Sequence, residues 1–203
     1  MARESGEKFI EPYRDFSELF ENEVRGRDFE ILTLKRPSPF LIMAPHGGYI
    51  EFSTAEIAYF IAGENHSYYG FLGIKDRGNN RMHVSSNRYN EPIAHSMARE
   101  ADTVITIHGM VRDPGREWAV VGGSDVVLRT RIISSLHAVG IEAEDGDRYP
   151  TLAGTHASNI CNQGTRKKGV QIELSTNLRQ RCMANRSVLS ALKSAIDKAL
   201  VVA

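Results

Sequence analysis

The sequence has little cysteine. Cys161 and Cys182 are the two in 203 residues, and they lack metal-type spacing. That excludes a disulfide-stapled framework and a thiolate metal cluster, and it suits a reducing compartment. There is no excess of charge either. The 25 basic side chains balance 25 acidic ones, so no global field draws the chain to nucleic acid or an anionic membrane. No run approaches the roughly 18 apolar residues that span a bilayer. The opening stretch "MARESGEKFIEPYRDF" is charged throughout and has no apolar core, so it reads as no signal peptide. The expectation is a chain made soluble in the cytoplasm, with cell lysis as a route out. Repeats, low-complexity tracts and linkers are also missing. This leaves one domain over 1–203, long enough to bury a large core.

What is present alternates. "ILTLKRP" and "FLIMAP" read as strands around a Pro-Ser-Pro turn. "STAEIAYFIAG" reads as a helix, with Ser53 and Glu56 as a capping box and Gly63 at its end. "YYGFLGIK" is strand-like, and "RMHVSS" suggests another strand. "EPIAHSMAREA" follows as a helix, then "DTVITIHG" and "WAVVGG" as strands. Ser124 or Asp125 caps the helix "VVLRTRIISSLHAVG"; "GVQIELS" is a strand and "SVLSALKSAIDKALVV" an amphipathic helix. The pattern predicts an α/β fold, a three-layer sandwich with helices on both faces of a largely parallel or mixed sheet. The segment 141–168 is loop-rich and long, and function in such folds gathers beyond the carboxyl ends of strands.

Ionisable residues stand at those ends. His46 follows "FLIMAP", Glu51 comes five residues later, His108 ends "TVITI", and Glu173 sits in "VQIEL". A catalytic zinc takes three protein ligands and keeps a position for water, and His46, Glu51 and His108 make such a set. The metal acidifies a water towards about pH 7, and Glu173 is the candidate general base. Each residue also has a plainer reading. A lone histidine at a strand end is more often structural, His-x4-Glu is no specific motif, and Glu51 can simply favour a helix start. Glu173 is the least comfortable under that reading, because a buried carboxylate needs a cation, a metal or a shifted pKa. Gly47 and Gly48 permit the tight path that would return Glu51 to His46. His83 is the next site candidate. His156 faces either the site or water, and His66, His95 and His137 have bland positions in a turn and two helices.

The motifs "APHGGYIE", "RMHVSSNRYNEP", "TVITIHGM", "NICNQG" and "GVQIELS" occur in that order. Together, over roughly 30–200, they resemble the poly-γ-glutamate hydrolase family of bacteriophages and the bacteria they infect. The family is related in fold to zinc carboxypeptidases and aspartoacylase-like amidohydrolases. The resemblance implies a carboxypeptidase-like fold and one Zn2+ held by His46, Glu51 and His108. It also implies Glu173 as the catalytic glutamate and hydrolysis of γ-glutamyl amide bonds in capsular poly-γ-glutamate. The implied partner is that anionic polymer, with no nucleic acid or membrane, and a monomer is expected.

A polyanion needs cations near the metal. Arg77, Arg81 and Arg88, and the run Arg166, Lys167 and Lys168, supply candidates, Arg88 and Arg166 foremost. Asn159 and Asn162 either orient substrate or fix a loop turn. Two other functions stay open. One is a zinc amidohydrolase or carboxypeptidase for small N-acyl amino acids or peptide C-termini. The other is a catalytically silent polymer-binding module.

Overall fold

A computed structural model describes residues 12–201. The charged stretch 1–11, within the segment read above as no signal peptide, and residues 202–203, the first of them in the final amphipathic helix read from sequence, lie outside them. Helix α1 (Phe16–Asn22) precedes strands β1 (Phe29–Leu34) and β2 (Phe40–Gly48). Helix α2 (Thr54–Ala62), β3 (Ser67–Gly73), α3 (Pro92–Glu100), β4 (Thr103–Met110) and β5 (Trp118–Gly122) follow. Then come α4 (Val126–Ala138), β6 (Glu142–Asp145), β7 (Val170–Ser175), α5 (Thr176–Ala184) and α6 (Arg186–Leu200).

The strands form a seven-stranded mixed sheet in the order β1-β3-β2-β4-β7-β5-β6. β3, β2, β4 and β7 run parallel; β1 pairs antiparallel with β3 and β5 antiparallel with β7. The central strands are buried on both faces, so they read as continuous apolar runs. Alternation still sorts their side chains. Ile42, Ile105, Ile107, Ile172 and Leu174 pack against Ile57, Ile61, Leu128, Ile132, Leu192 and Ile196. Leu41, Met43, Tyr69, Phe71 and Val104 pack on the other face against Phe16, Leu19 and Met97. His108 follows Ile107, and Glu173 lies between Ile172 and Leu174, so by strand alternation both project away from the first cluster.

Three local readings need correction. Ser53 makes no capping box: its φ is 70°, and its side chain makes no cap hydrogen bond. The Glu51 amide bonds back to the His46 carbonyl at 2.8 Å, and the chain needs a left-handed residue to leave that turn and enter α2. Thr54 Oγ1 donates to the Glu51 carbonyl at 2.8 Å instead. Glu51 still lies before the helix. "RMHVSS" is not a strand but is split between 3-10 turns at Asn79–Met82 and Ser86–Arg88, closed by short bonds such as Arg88 N–H to the Ser85 carbonyl. Finally, the loop-rich segment 141–168 also holds a strand that the sequence pattern does not show. β6, "EAED", pairs with β5 at the sheet edge, where only Ala143 is buried, so it carries no hydrophobic signature.

Candidate active site and metal centre

The site is set by β2, β4 and β7. In the parallel register His108 lies opposite Glu173. A register shift between Ala44 and Gly47 breaks the β2–β3 ladder just where His46 stands. Gly48 has φ 63°, and a Cβ there would collide with the Gly73 carbonyl, so this turn requires glycine. The turn returns Glu51 to His46, with Oε1 3.0 Å from Nδ1. Glu51 Oε2 accepts the Gly109 N–H at 2.8 Å, which ties the turn to the end of β4. His108 Nδ1 lies 3.2 Å from His46 Nδ1 and 3.6 Å from Glu51 Oε2.

Hydrogen bonding fixes what these atoms can be. His46 Nε2 sits 2.8 Å from the Val84 carbonyl, which can only accept, so Nε2 carries the proton. Burial, reinforced by His83, lowers His46 to about 4, so its ring is neutral near pH 7 and Nδ1 offers a lone pair. Burial opposes ionisation of Glu51, but the neighbouring His108 and His83 donors outweigh it and hold the carboxyl well below its usual range. A neutral nitrogen and a carboxylate oxygen therefore face each other with no proton between them. Burial disfavours the charged form of His108, yet the Glu173 and Glu51 carboxylates raise it above its ordinary value. The cluster demands positive charge. A proton on His108 is one source, and a metal cation is the other. The ligand atoms of His46, Glu51 and His108 lie within 4.8 Å of one another, and this N/N/O set fits a divalent metal such as zinc.

Glu173 is 6% exposed. Burial and the Glu51 carboxylate push it up to about 7, against the opposing pull of His108. Its Oε1 accepts from Gln171 Nε2 at 2.8 Å, and Gln171 Oε1 accepts from Asn159 Nδ2 at 3.0 Å. Gln171 was legible only as the residue two places before Glu173, hence on the same strand face. The ring of His83 stacks on His46 at 3.9 Å, and its Nε2 lies 3.4 Å from Glu51 Oε1.

These groups line a cleft of about 540 Å³. Its walls come from 83–87, from the segment after β4 including Arg112, and from 150–156 with His156. Of the residues read from sequence, His46, Glu51, His83, His108, Asn159 and Glu173 are brought together there. Arg88 lines a different cleft with Arg14, Asn90 and His95. Asn162 is buried, and its side chain bonds Ser124, the Gly154 and His156 carbonyls and the Gly169 amide, so it fixes a loop. Arg166 bonds Thr103 Oγ1 and lies 3.5 Å from Asp125. Thr103 opens β4, so Arg166 stands at the sheet end opposite His108. Lys168 also neighbours Asp125, at 3.6 Å. Arg166 and Lys168 thus serve the acidic N-cap of α4.

Sequence reading missed Arg112 and Arg179. Arg179, on the unread helix α5, is 6% exposed and donates to the Leu174 and Phe52 carbonyls. A Cβ on Gly109 would lie 2.7 Å from its guanidinium carbon, so the glycine after His108 makes room for this clamp on the Glu51 turn.

The raised pKa of Glu173 has a consequence for metal-free protein. An unfolded glutamate titrates near 4.5 and this one near 7. Between those values the folded state holds a proton that the unfolded state has released. The stabilisation is full below the lower value and lost as pH rises through the upper one. His108, also raised, acts in the same direction. Thermal melts of metal-free Glu173→Gln should therefore lose less stability than wild type between about pH 5 and about pH 8. An equal or steeper loss in the variant would contradict the assignment.

A three-layer α/β sandwich with a His–Glu–His cluster and a buried carboxylate at its strand ends has the make-up of an amide hydrolase. The fold is shared with N-formylglutamate amidohydrolase from Ralstonia eutropha JMP134, at 12% identity and TM-score 0.51 over 86% of this chain and 98% of that one. The chain itself belongs to the poly-γ-glutamate hydrolase family, whose sequence model matches residues 13–199. It is 31% identical to a solved bacteriophage poly-γ-glutamate hydrolase, with TM-score 0.84 over 93% of this chain and 96% of that one. A zinc-free structure of YndL aligns with TM-score 0.84 at 30% identity, over the same shares of the two chains. The SPbeta prophage-derived protein YoqZ of Bacillus subtilis (strain 168) is 35% identical over 168 residues, 83% of this chain. The match spans 60% of YoqZ's own length.

Among the described residues, no helix is long and apolar enough to cross a membrane.

Proposed function

We propose that this chain hydrolyses the γ-glutamyl amide bonds of poly-γ-glutamate with a zinc ion held by His46, Glu51 and His108, and with Glu173 as general base. The observation that carries the reading is the juxtaposition of two carboxylates in opposite states. Glu51 is held ionised among imidazoles, as a ligand must be, while Glu173 is desolvated and raised, as a proton carrier must be. Bound zinc would supply a Lewis acid for the carbonyl and an acidified water. Glu173 takes a proton from the attacking water and passes it to the leaving amine, so one water adds across the C–N bond to give a carboxylate and an amine. The Asn159–Gln171 relay holds the Glu173 carboxylate in one orientation. The ring of His83 packs on His46 and partly shields the Glu51 carboxylate from solvent.

The cleft supports a chain-like substrate, because the loops at 83–87, 110–112 and 150–156 line it and leave it open to solvent. Zinc-loaded protein incubated with poly-γ-glutamate should shorten the polymer, read as a shift to later elution in size-exclusion chromatography. An intact polymer beside rapid cleavage of N-acyl amino acids would transfer the activity to small substrates. An intact polymer that is nevertheless bound would leave a binding module.

A further inference from the structure

Most arginines with resolved partners are spoken for by carboxylates. Arg116 pairs with Glu142 and Glu144, Arg129 with Asp147, Arg181 with Glu117, Arg27 with Asp28 and Arg166 with Asp125. Arg112 is different. It lies two residues past the end of β4, on the exposed segment that overhangs the cleft, four residues after His108. Its guanidinium carbon stands 4.8 Å from the centre of the Tyr149 ring. No carboxylate or carbonyl oxygen among the described residues pairs with it. Tyr149 is itself anchored, donating to Glu144 Oε2 at 2.8 Å and packing edge-on against buried Trp118. The aromatic face holds the planar cation in one orientation without spending its five N–H donors.

A guanidinium stacked on a ring, turned into a cleft and left without an anion is suited to receive one from outside. In a γ-linked glutamyl chain the amide uses the side-chain carboxyl, so every residue keeps a free α-carboxylate beside the scissile bond. We propose that Arg112 clasps that α-carboxylate and selects γ-linked glutamyl substrates, an inference that rests on the polymer reading above. It replaces the cations expected from sequence: Arg88 and Arg166 both lie away from this cleft.

The test compares wild type, Arg112→Gln and Arg112→Lys, each loaded with zinc, on poly-γ-glutamate and on the same polymer with its α-carboxylates methyl-esterified. Wild type should prefer the free acid. Arg112→Gln should raise KM about tenfold or more, change kcat less, and lose that preference. Arg112→Lys should recover part of both, since an ammonium keeps the charge but not the two-pronged geometry. Zinc content and circular dichroism monitor the fold. Wild-type cleavage accompanied by an unchanged KM and an unchanged free-acid preference in Arg112→Gln would overturn the inference and leave the polymer reading intact. A fall in kcat that tracks loss of zinc would overturn it as well, because that is a structural effect. A wild type that leaves both polymers whole would overturn the polymer reading and this inference with it.

Discussion

Glu173→Gln should cut polymer cleavage by roughly a thousandfold or more while zinc stays bound near one ion per chain. The substitution changes one oxygen to an amide and little else. The side chain remains buried on β7 opposite His108, and its remaining oxygen can still accept from Gln171. What disappears is the basic atom that takes the proton and returns it to the leaving amine. Loss of a general base alone costs about 10²–10⁴ in rate, and this residue serves in both halves of the reaction. Zinc is retained because the His46, Glu51 and His108 atoms that converge do not include Glu173. The measurement is steady-state cleavage beside zinc analysis of the same sample. A variant keeping more than about a tenth of wild-type rate would assign the proton transfer to another group.

His46→Ala should abolish both zinc binding and activity. His46 offers its lone pair through Nδ1 because Val84 holds the proton on Nε2, so the substitution removes a neutral ring nitrogen already set beside the Glu51 carboxylate. Removing a direct ligand should weaken binding by more than the 10–100-fold typical of an outer partner. Zinc should fall below about 0.1 per chain after dialysis, and stoichiometric zinc should fail to restore cleavage. Wild type stripped by a chelator should recover on adding zinc. The two proteins thus separate loss of the ion from loss of the fold. A His46→Ala protein that purified with a full complement of zinc would break the proposed ligand set.

How much of this was legible in the sequence depends on how local each signal is. The central strands announced themselves because apolar runs bounded by turns survive without context. His46, Glu51, His108 and Glu173 stood out as ionisable residues at the ends of such runs, which is a local contrast too. β6 stayed hidden because a charged edge strand looks like loop, and the "RMHVSS" alternation mimicked a strand although its backbone coils to give the Val84 carbonyl to His46. Ser53 followed by Glu56 matched a capping box, but the return of Glu51 to His46 set the backbone there. Cations were the hardest. Sequence shows that Arg88, Arg112 and Arg166 are arginines. It does not show that Asp125 neighbours one, that another lies along a second cleft, and that Tyr149 turns the third over the site. Those are long-range pairings, written in topology rather than in spacing.

The central claim is that one metal ion sits among His46, Glu51 and His108 and makes the cleft an active site. An anomalous difference map recorded on either side of the zinc absorption edge, from crystals of protein purified without chelator, tests it most directly. The account predicts one strong peak that disappears below the edge, bounded by His46 Nδ1, the Glu51 carboxylate and a His108 ring nitrogen, with Glu173 beside it and not bonded to it. A cluster without a peak in zinc-replete crystals, or a peak bound by other side chains, would contradict it.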